Sequence, residues 1–148
     1  MGNKSFFKPK KITLIKQYYI IESKYRNLII EKQRDLNSAT FDFNIIPSEL
    51  SQAYTVRMVL SKNNNPKIYV LHPKIKTRKK KRPPHIYDFD EGRICLFLPR
   101  EINSYSCYDK IVPWIAEWLL FYEIWLVTGN WNGGGHILDV KKDKKLLD

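Results

Sequence analysis

The chain has 148 residues, 43% of them hydrophobic, enough for one globular domain with a buried core. Its formal net charge of +11 is high for that length and suits an anionic partner, whether nucleic acid, acidic protein or anionic lipid. Two cysteines make no disulfide framework, which excludes a bridge-stapled secreted scaffold and leaves both as thiols.

Residues 1–11 are basic and lack an apolar period, so they read as a tail. The start is Met1-Gly2, but Phe6 stands where a myristoylation signal needs Ser or Thr, and no signal-peptide core follows. Cytoplasmic residence is the expectation. Leu14, Tyr18, Ile21 and Tyr25 recur at three- and four-residue steps, which predicts a first helix over 12–25. Residues 28–31, 40–46, 54–60 and 68–71 are rich in β-branched and aromatic side chains and read as strands. Asn63-Asn64-Asn65-Pro66 is a turn signal between the last two. Strands joined by short polar turns, between helices, predict an α+β class with an antiparallel meander.

Lys76 to Arg82 forms a basic loop closed by Pro83-Pro84, which stop a strand from running straight on. Lys79, Lys80, Lys81 and Arg82 read either as an idle solvated run or as a dock for an acidic partner. Runs of like charge are more often solvated loops, so nucleic-acid binding is the lesser reading of the charge.

The main candidate site lies in residues 83–98, Pro-Pro-His-Ile-Tyr-Asp-Phe-Asp-Glu-Gly-Arg-Ile-Cys-Leu-Phe-Leu. Asp88 to Gly92 is turn-prone, and Gly92 can take the positive φ of a sharp reversal. Arg93-Ile94-Cys95-Leu96 then leaves the turn as a short, nearly extended edge, with His85 ten positions before Cys95. A cysteine partly exposed beside backbone N–H groups favours the thiolate, the form that attacks carbonyl carbon. A cysteine in an apolar run is also what a small buried hydrophobe looks like. Residues 99–108 read as a polar connection, and Cys107 in it as a loop cysteine without a role.

No stretch is as long and uninterrupted as a bilayer span requires; the nearest, 111–127, carries Glu117 and Glu123. It is expected to be a core helix, with Pro113 in its first turn and Gly129 as its stop. Ile111, Ile115, Trp118, Leu119, Tyr122 and Leu126 mark one face, and Trp114, Phe121 and Trp125 another. Trp131, Gly133, Gly134, Gly135 and His136 form a glycine-rich stretch with room for a thin extended peptide, such as a diglycine-type C-terminus. It lacks the preceding strand and the Lys-Ser/Thr of a phosphate loop. His72, His85, His136 and the cysteines lack metal-ligand spacing, and neither metal nor cofactor is expected. Residues 141–148 read as a charged tail, leaving a single domain over 12–140.

His85 followed by Gly92-Arg93-Ile94-Cys95-Leu96 resembles the active-site segment of ubiquitin-conjugating (E2) enzymes. There a His-Pro-Asn triplet precedes Gly-x-Ile-Cys-Leu, with ten positions from His to Cys. Residues 113–118, 122–126 and 128–131 are similar to the bacterial E2-like proteins encoded with cGAS-like nucleotidyltransferases in CBASS anti-phage operons. The likeness runs from about residue 40 to residue 138. Two departures stand out: Ile86 and Tyr87 occupy the Pro and Asn positions, and no tryptophan closely follows Cys95.

The resemblance implies an E2-like fold with an N-terminal helix, a β-meander and C-terminal helices. It implies that Cys95 carries an acyl group as a thioester, and that His85 braces the loop rather than acting as a base. The Tyr87 hydroxyl could replace the missing Asn amide at the oxyanion, and Asp88 and Asp90 could position an incoming amine. The donor it implies is the C-terminus of a cGAS-like nucleotidyltransferase. These 148 residues contain no adenylating segment, so either a separate E1-like protein activates the donor or none is needed. Two other readings stay open: a non-catalytic module of the same fold that regulates the nucleotidyltransferase, and a basic nucleic-acid-binding protein.

Overall fold

Helix α1, Leu14–Lys24, opens the computed structural model, which describes residues 10–133. The proposed tails before Lys10 and after residue 140, together with Gly134, Gly135 and His136, lie outside the described residues. Thr13 caps α1, its hydroxyl oxygen accepting from the Lys16 amide at 3.3 Å. Tyr18 and Ile21 of the predicted stripe are buried, and Tyr18 stacks on Phe41 with ring centroids 5.0 Å apart. Gln17 is buried too. Its side chain donates to the Ser106 carbonyl at 2.7 Å and accepts from the Tyr108 amide at 2.9 Å. A buried amide satisfied at both ends fixes the segment before the second helix against the first.

Six strands follow: β1 Ile29–Arg34, β2 Ser38–Ile45, β3 Tyr54–Ser61, β4 Asn64–His72, β5 Ile86–Asp88 and β6 Arg93–Ile94. They form one antiparallel sheet in the order β1-β2-β3-β4-β6-β5. In β3, Tyr54, Val56, Met58 and Leu60 are buried and alternate with half-buried residues, the period-2 pattern of a sheet with one face on the core. Two expectations are corrected here. The β3–β4 turn is only Lys62-Asn63, since Ser61 already pairs with Asn64; Pro66 sits in a bulge of β4, where it removes no ladder hydrogen bond. The cysteine-bearing segment does not leave the turn as a sheet edge. β6 lies between β4 and β5, and β5 takes the edge.

That swap depends on Gly92. Its φ is 73°, and its carbonyl accepts from the Val70 amide at 2.8 Å, locking the β5–β6 turn to β4. A Cβ there would lie 2.4 Å from the Val70 carbonyl oxygen.

Helix α2, Ile111–Thr128, is the single long helix after the sheet among the described residues, where more than one was expected. Short 3₁₀ turns at Pro99–Glu101 and Tyr108–Lys110 precede it, and the connection between them buries Ile102 as well as Tyr108. Ile111, Val112, Ile115, Trp118, Leu119, Tyr122 and Trp125 are buried and share one core with the sheet. Side chains of this size contribute about 1.5–3 kcal/mol each when buried. The stretch Tyr108–Thr128 has the length and mean hydropathy, 1.4, of a bilayer span, which the core helix of a globular domain also reaches. Gly129 ends the helix at φ 81°, its amide donating to the Trp125 carbonyl at 2.8 Å.

The two positive-φ glycines should respond unequally to alanine. At Gly129 the new Cβ meets only the Arg78 guanidinium, a movable side-chain end, at 2.7 Å. At Gly92 it meets backbone. Gly129→Ala is expected to cost about 1 kcal/mol and Gly92→Ala at least about 2–3 kcal/mol, read as urea-unfolding midpoints.

Candidate active site

The β5–β6 hairpin carries an irregularity that sets the site. Ile86 pairs with Ile94 and Asp88 with Arg93, so Tyr87 is an extra residue on the bulged strand. Bulges re-aim a side chain. Tyr87 is about half exposed, and the Arg93 guanidinium carbon lies 4.8 Å from its ring centroid, in cation–π range. Burial first, and then the nearby Cys95 thiol, push the Tyr87 pKa up to about 12, so the hydroxyl stays protonated at neutral pH. Cys95 is half-buried, and its thiol also points to the Phe97 carbonyl, with Sγ 3.7 Å from the oxygen. Along 93–96 half-buried and buried residues alternate, which places Arg93 and Cys95 on one side and Ile94 and Leu96 in the core.

Behind the sulfur stands a backbone clamp. The His85 carbonyl accepts from the Cys95 amide at 2.9 Å and from the Trp118 indole N–H at 3.1 Å. His85 is itself buried and has φ 56°, a conformation that costs a non-glycine residue about 1–3 kcal/mol and persists only where the surroundings over-determine it. Two donors on its carbonyl provide that, with Trp131 beside its imidazole at 5.4 Å between ring centroids. Trp131 packs in turn on Trp118, at 5.3 Å. The arrangement is a rigid aromatic wall under a reachable thiol.

The family model for the Type II CBASS E2 protein matches residues 17–138. The chain belongs to that family. A search of curated proteins finds no match. The matched span takes in the sheet, helix α2, α1 from Gln17 onward and the Cys95 hairpin of this CBASS E2 chain.

The residues singled out from sequence are placed as follows. His85, Tyr87 and Cys95 are brought together. Asp88 and Asp90 are not joined to Cys95 by any hydrogen bond or ion pair among the described residues; Asp88 accepts from the Glu91 amide at 3.0 Å and so holds the turn. Asp90 lines a separate open pocket with Lys74 and Glu91.

The basic loop is a built turn rather than a loose run. Arg78 and Lys81 exchange backbone hydrogen bonds of 2.8 and 2.9 Å, with Lys79 and Lys80 at its tip at φ 50° and 65°. Arg78 Nε donates to the Leu126 carbonyl at 3.2 Å, and the Arg82 guanidinium lies 5.2 Å from the Phe89 ring centroid. These contacts moor the turn between the end of α2 and the β5–β6 hairpin, with Lys79, Lys80, Lys81 and Arg82 exposed.

Trp131 and Gly133, expected to meet a partner, are both buried, Trp131 at 4% exposure. Trp131 packs beneath the site, against His85, Trp118 and Phe121. Cys107 is half-buried away from this cluster, and burial, followed by the Asp109 carboxylate, pushes its thiol up. Sequence reasoning missed Trp118 as a site residue. The available signal was that a buried indole N–H needs an acceptor.

Because burial is the larger cause of the Tyr87 shift, Cys95→Ala should lower the Tyr87 pKa only part of the way from about 12 towards 10. Tyrosine-selective carbon-13 labelling with NMR titration between pH 8 and 12 reads this directly.

Proposed function

We propose that this CBASS E2 is a transferase that carries an acyl group on Cys95 and passes it to an amine or thiol. The thiolate attacks the carbonyl of an activated donor, a tetrahedral oxyanion forms, the activating group leaves, and a thioester remains. An acceptor amine then attacks the thioester, gives up its proton and releases the Cys95 thiol. The donor is the C-terminus of a cGAS-like nucleotidyltransferase of the same defence system, acting in the cytoplasm.

The observation that carries this reading is the half-buried Cys95 thiol with its amide held by the His85 carbonyl, and the protonated Tyr87 hydroxyl near it. A neutral donor next to the reacting atom can follow the charge from sulfur to the developing oxyanion, in the role that the Asn of other E2 enzymes would fill. His85 braces the loop through its carbonyl, and Arg93 adds positive charge beside the thiolate. The moored basic turn supplies an exposed cationic surface that steers an acidic partner towards the hairpin.

Purification with the neighbouring operon proteins is expected to yield a Cys95 adduct removed by reducing agent. Cys95→Ser should convert it to a reductant-stable ester, and Cys107→Ser should leave it unchanged. Tyr87→Phe should slow adduct formation by about tenfold to a hundredfold, the scale of losing one oxyanion or acid–base donor. Intact-mass spectrometry follows all four proteins. Phage defence that survives Cys95→Ala would replace transfer with a non-catalytic hold on the nucleotidyltransferase.

A further inference from the structure

Beside the sulfur lies a small pocket of about 90 Å³. Arg93, Lys67, Asn65, Tyr87 and Phe97 are among its lining residues. The Phe97 carbonyl lies 3.7 Å from Cys95 Sγ, and Ile94 and Leu96, the chain neighbours of Cys95, line the pocket too, so the cysteine sits at its margin. Its polar lining is cationic, with no carboxylate in the wall.

Arg93 is the unusual member. Its Nε is fully buried and has no hydrogen-bond partner among the described residues. A buried guanidinium donor left unmatched is costly, and such groups call for an acceptor. The obvious internal one is Asp88, which pairs with Arg93 across the hairpin. Asp88 instead accepts from the Glu91 amide to hold the turn. The contact of the Arg93 guanidinium with the Tyr87 ring, 4.8 Å to the centroid, holds the group in place without satisfying Nε–H.

We propose that this pocket is a carboxylate subsite, in which Arg93 and Lys67 hold a carboxylate of a bound peptide next to Cys95. The volume admits a carboxylate and its methylene, given about 30 Å³ per water in the liquid. An arginine fork matches a carboxylate in geometry as well as charge. The carboxylate belongs to a peptide terminus or to an acidic side chain near the reacting residue. The peptide nature of the ligand rests on the transferase reading; the anion preference does not.

The test compares two alkylating agents on the full chain carrying Cys107→Ser. Iodoacetate bears its carboxylate directly on the methylene carbon that sulfur attacks; iodoacetamide has nearly the same shape without the charge. Both react with the thiolate, so the ratio of their rates cancels any change in thiolate fraction. Arg93→Gln is expected to lower the iodoacetate-to-iodoacetamide ratio about tenfold, the scale of one charge-assisted hydrogen bond, and Arg93→Lys to fall between. Three peptides then identify the source by slowing iodoacetamide: Gly-Gly with a free C-terminus, its C-terminal amide, and N-acetyl-Asp amide. Protection by the first alone assigns the subsite to a terminal carboxylate, by the third alone to a side chain, and by both to either. A ratio unmoved by Arg93→Gln, or no protection by any peptide, overturns the proposal. Adduct formation with an unmoved ratio removes the subsite and leaves transfer standing. An Arg93-dependent ratio without any adduct does the reverse.

Discussion

One carbonyl oxygen ties the cysteine hairpin to the main helix. The His85 carbonyl accepts from the Cys95 amide on β6 and from the Trp118 indole in the middle of α2. One bond fixes where the cysteine strand runs relative to the chain that leads into β5; the other fixes both against the main helix. The strained backbone at His85 follows from this, because only with its carbonyl turned inward can one residue serve two donors. The imidazole is then pressed on Trp131.

The same constraint separates the two faces of the hairpin. With the amide of Cys95 committed inward, the thiol is left half-buried with Sγ 3.7 Å from the Phe97 carbonyl oxygen, and the bulge sets the half-exposed Tyr87 near it. Arg93 then has nowhere to go but over the tyrosine ring and into the small pocket beside the sulfur. The excess charge of the chain is not spread evenly here. The Arg78–Lys81 turn is tied to α2 and to Phe89, so its exposed cations stand at a defined place near the hairpin. Charge held in place steers a partner more effectively than charge on a free loop.

Much of the fold could be read in advance because its elements obey local rules. The alternation in 54–60 and 40–46 matches the buried faces of β3 and β2, since side chains on a strand point to opposite faces. The stripe Leu14–Tyr18–Ile21 matches α1, and Gly129 closes α2 as its lack of a Cβ allows. Local rules failed where pairing across the sheet decided the outcome. Nothing near Arg93 announces that β6 will be inserted between β4 and β5. Nor does composition show that Asn64 and Asn65 enter β4 rather than the turn; a bulge that accommodates Pro66 makes this possible. The glycine-rich stretch looked like a surface for a peptide, yet Trp131 and Gly133 are buried, because the indole is more stable against His85 and Trp118 than in water.

By itself the sequence determined the class, α+β, the position of the main helix, and Cys95 as the one thiol set just past a sharp turn with His85 ten residues before it. Those features depend on periodicity, turn chemistry and spacing, which are properties of neighbouring residues. Tertiary structure alone decided that the His85 carbonyl meets both the Cys95 amide and the Trp118 indole, and that a bulge sets Tyr87 beside the cysteine strand. These depend on which distant donor meets which acceptor once the sheet and α2 close on one core, and contacts between residues 33 positions apart leave no local trace.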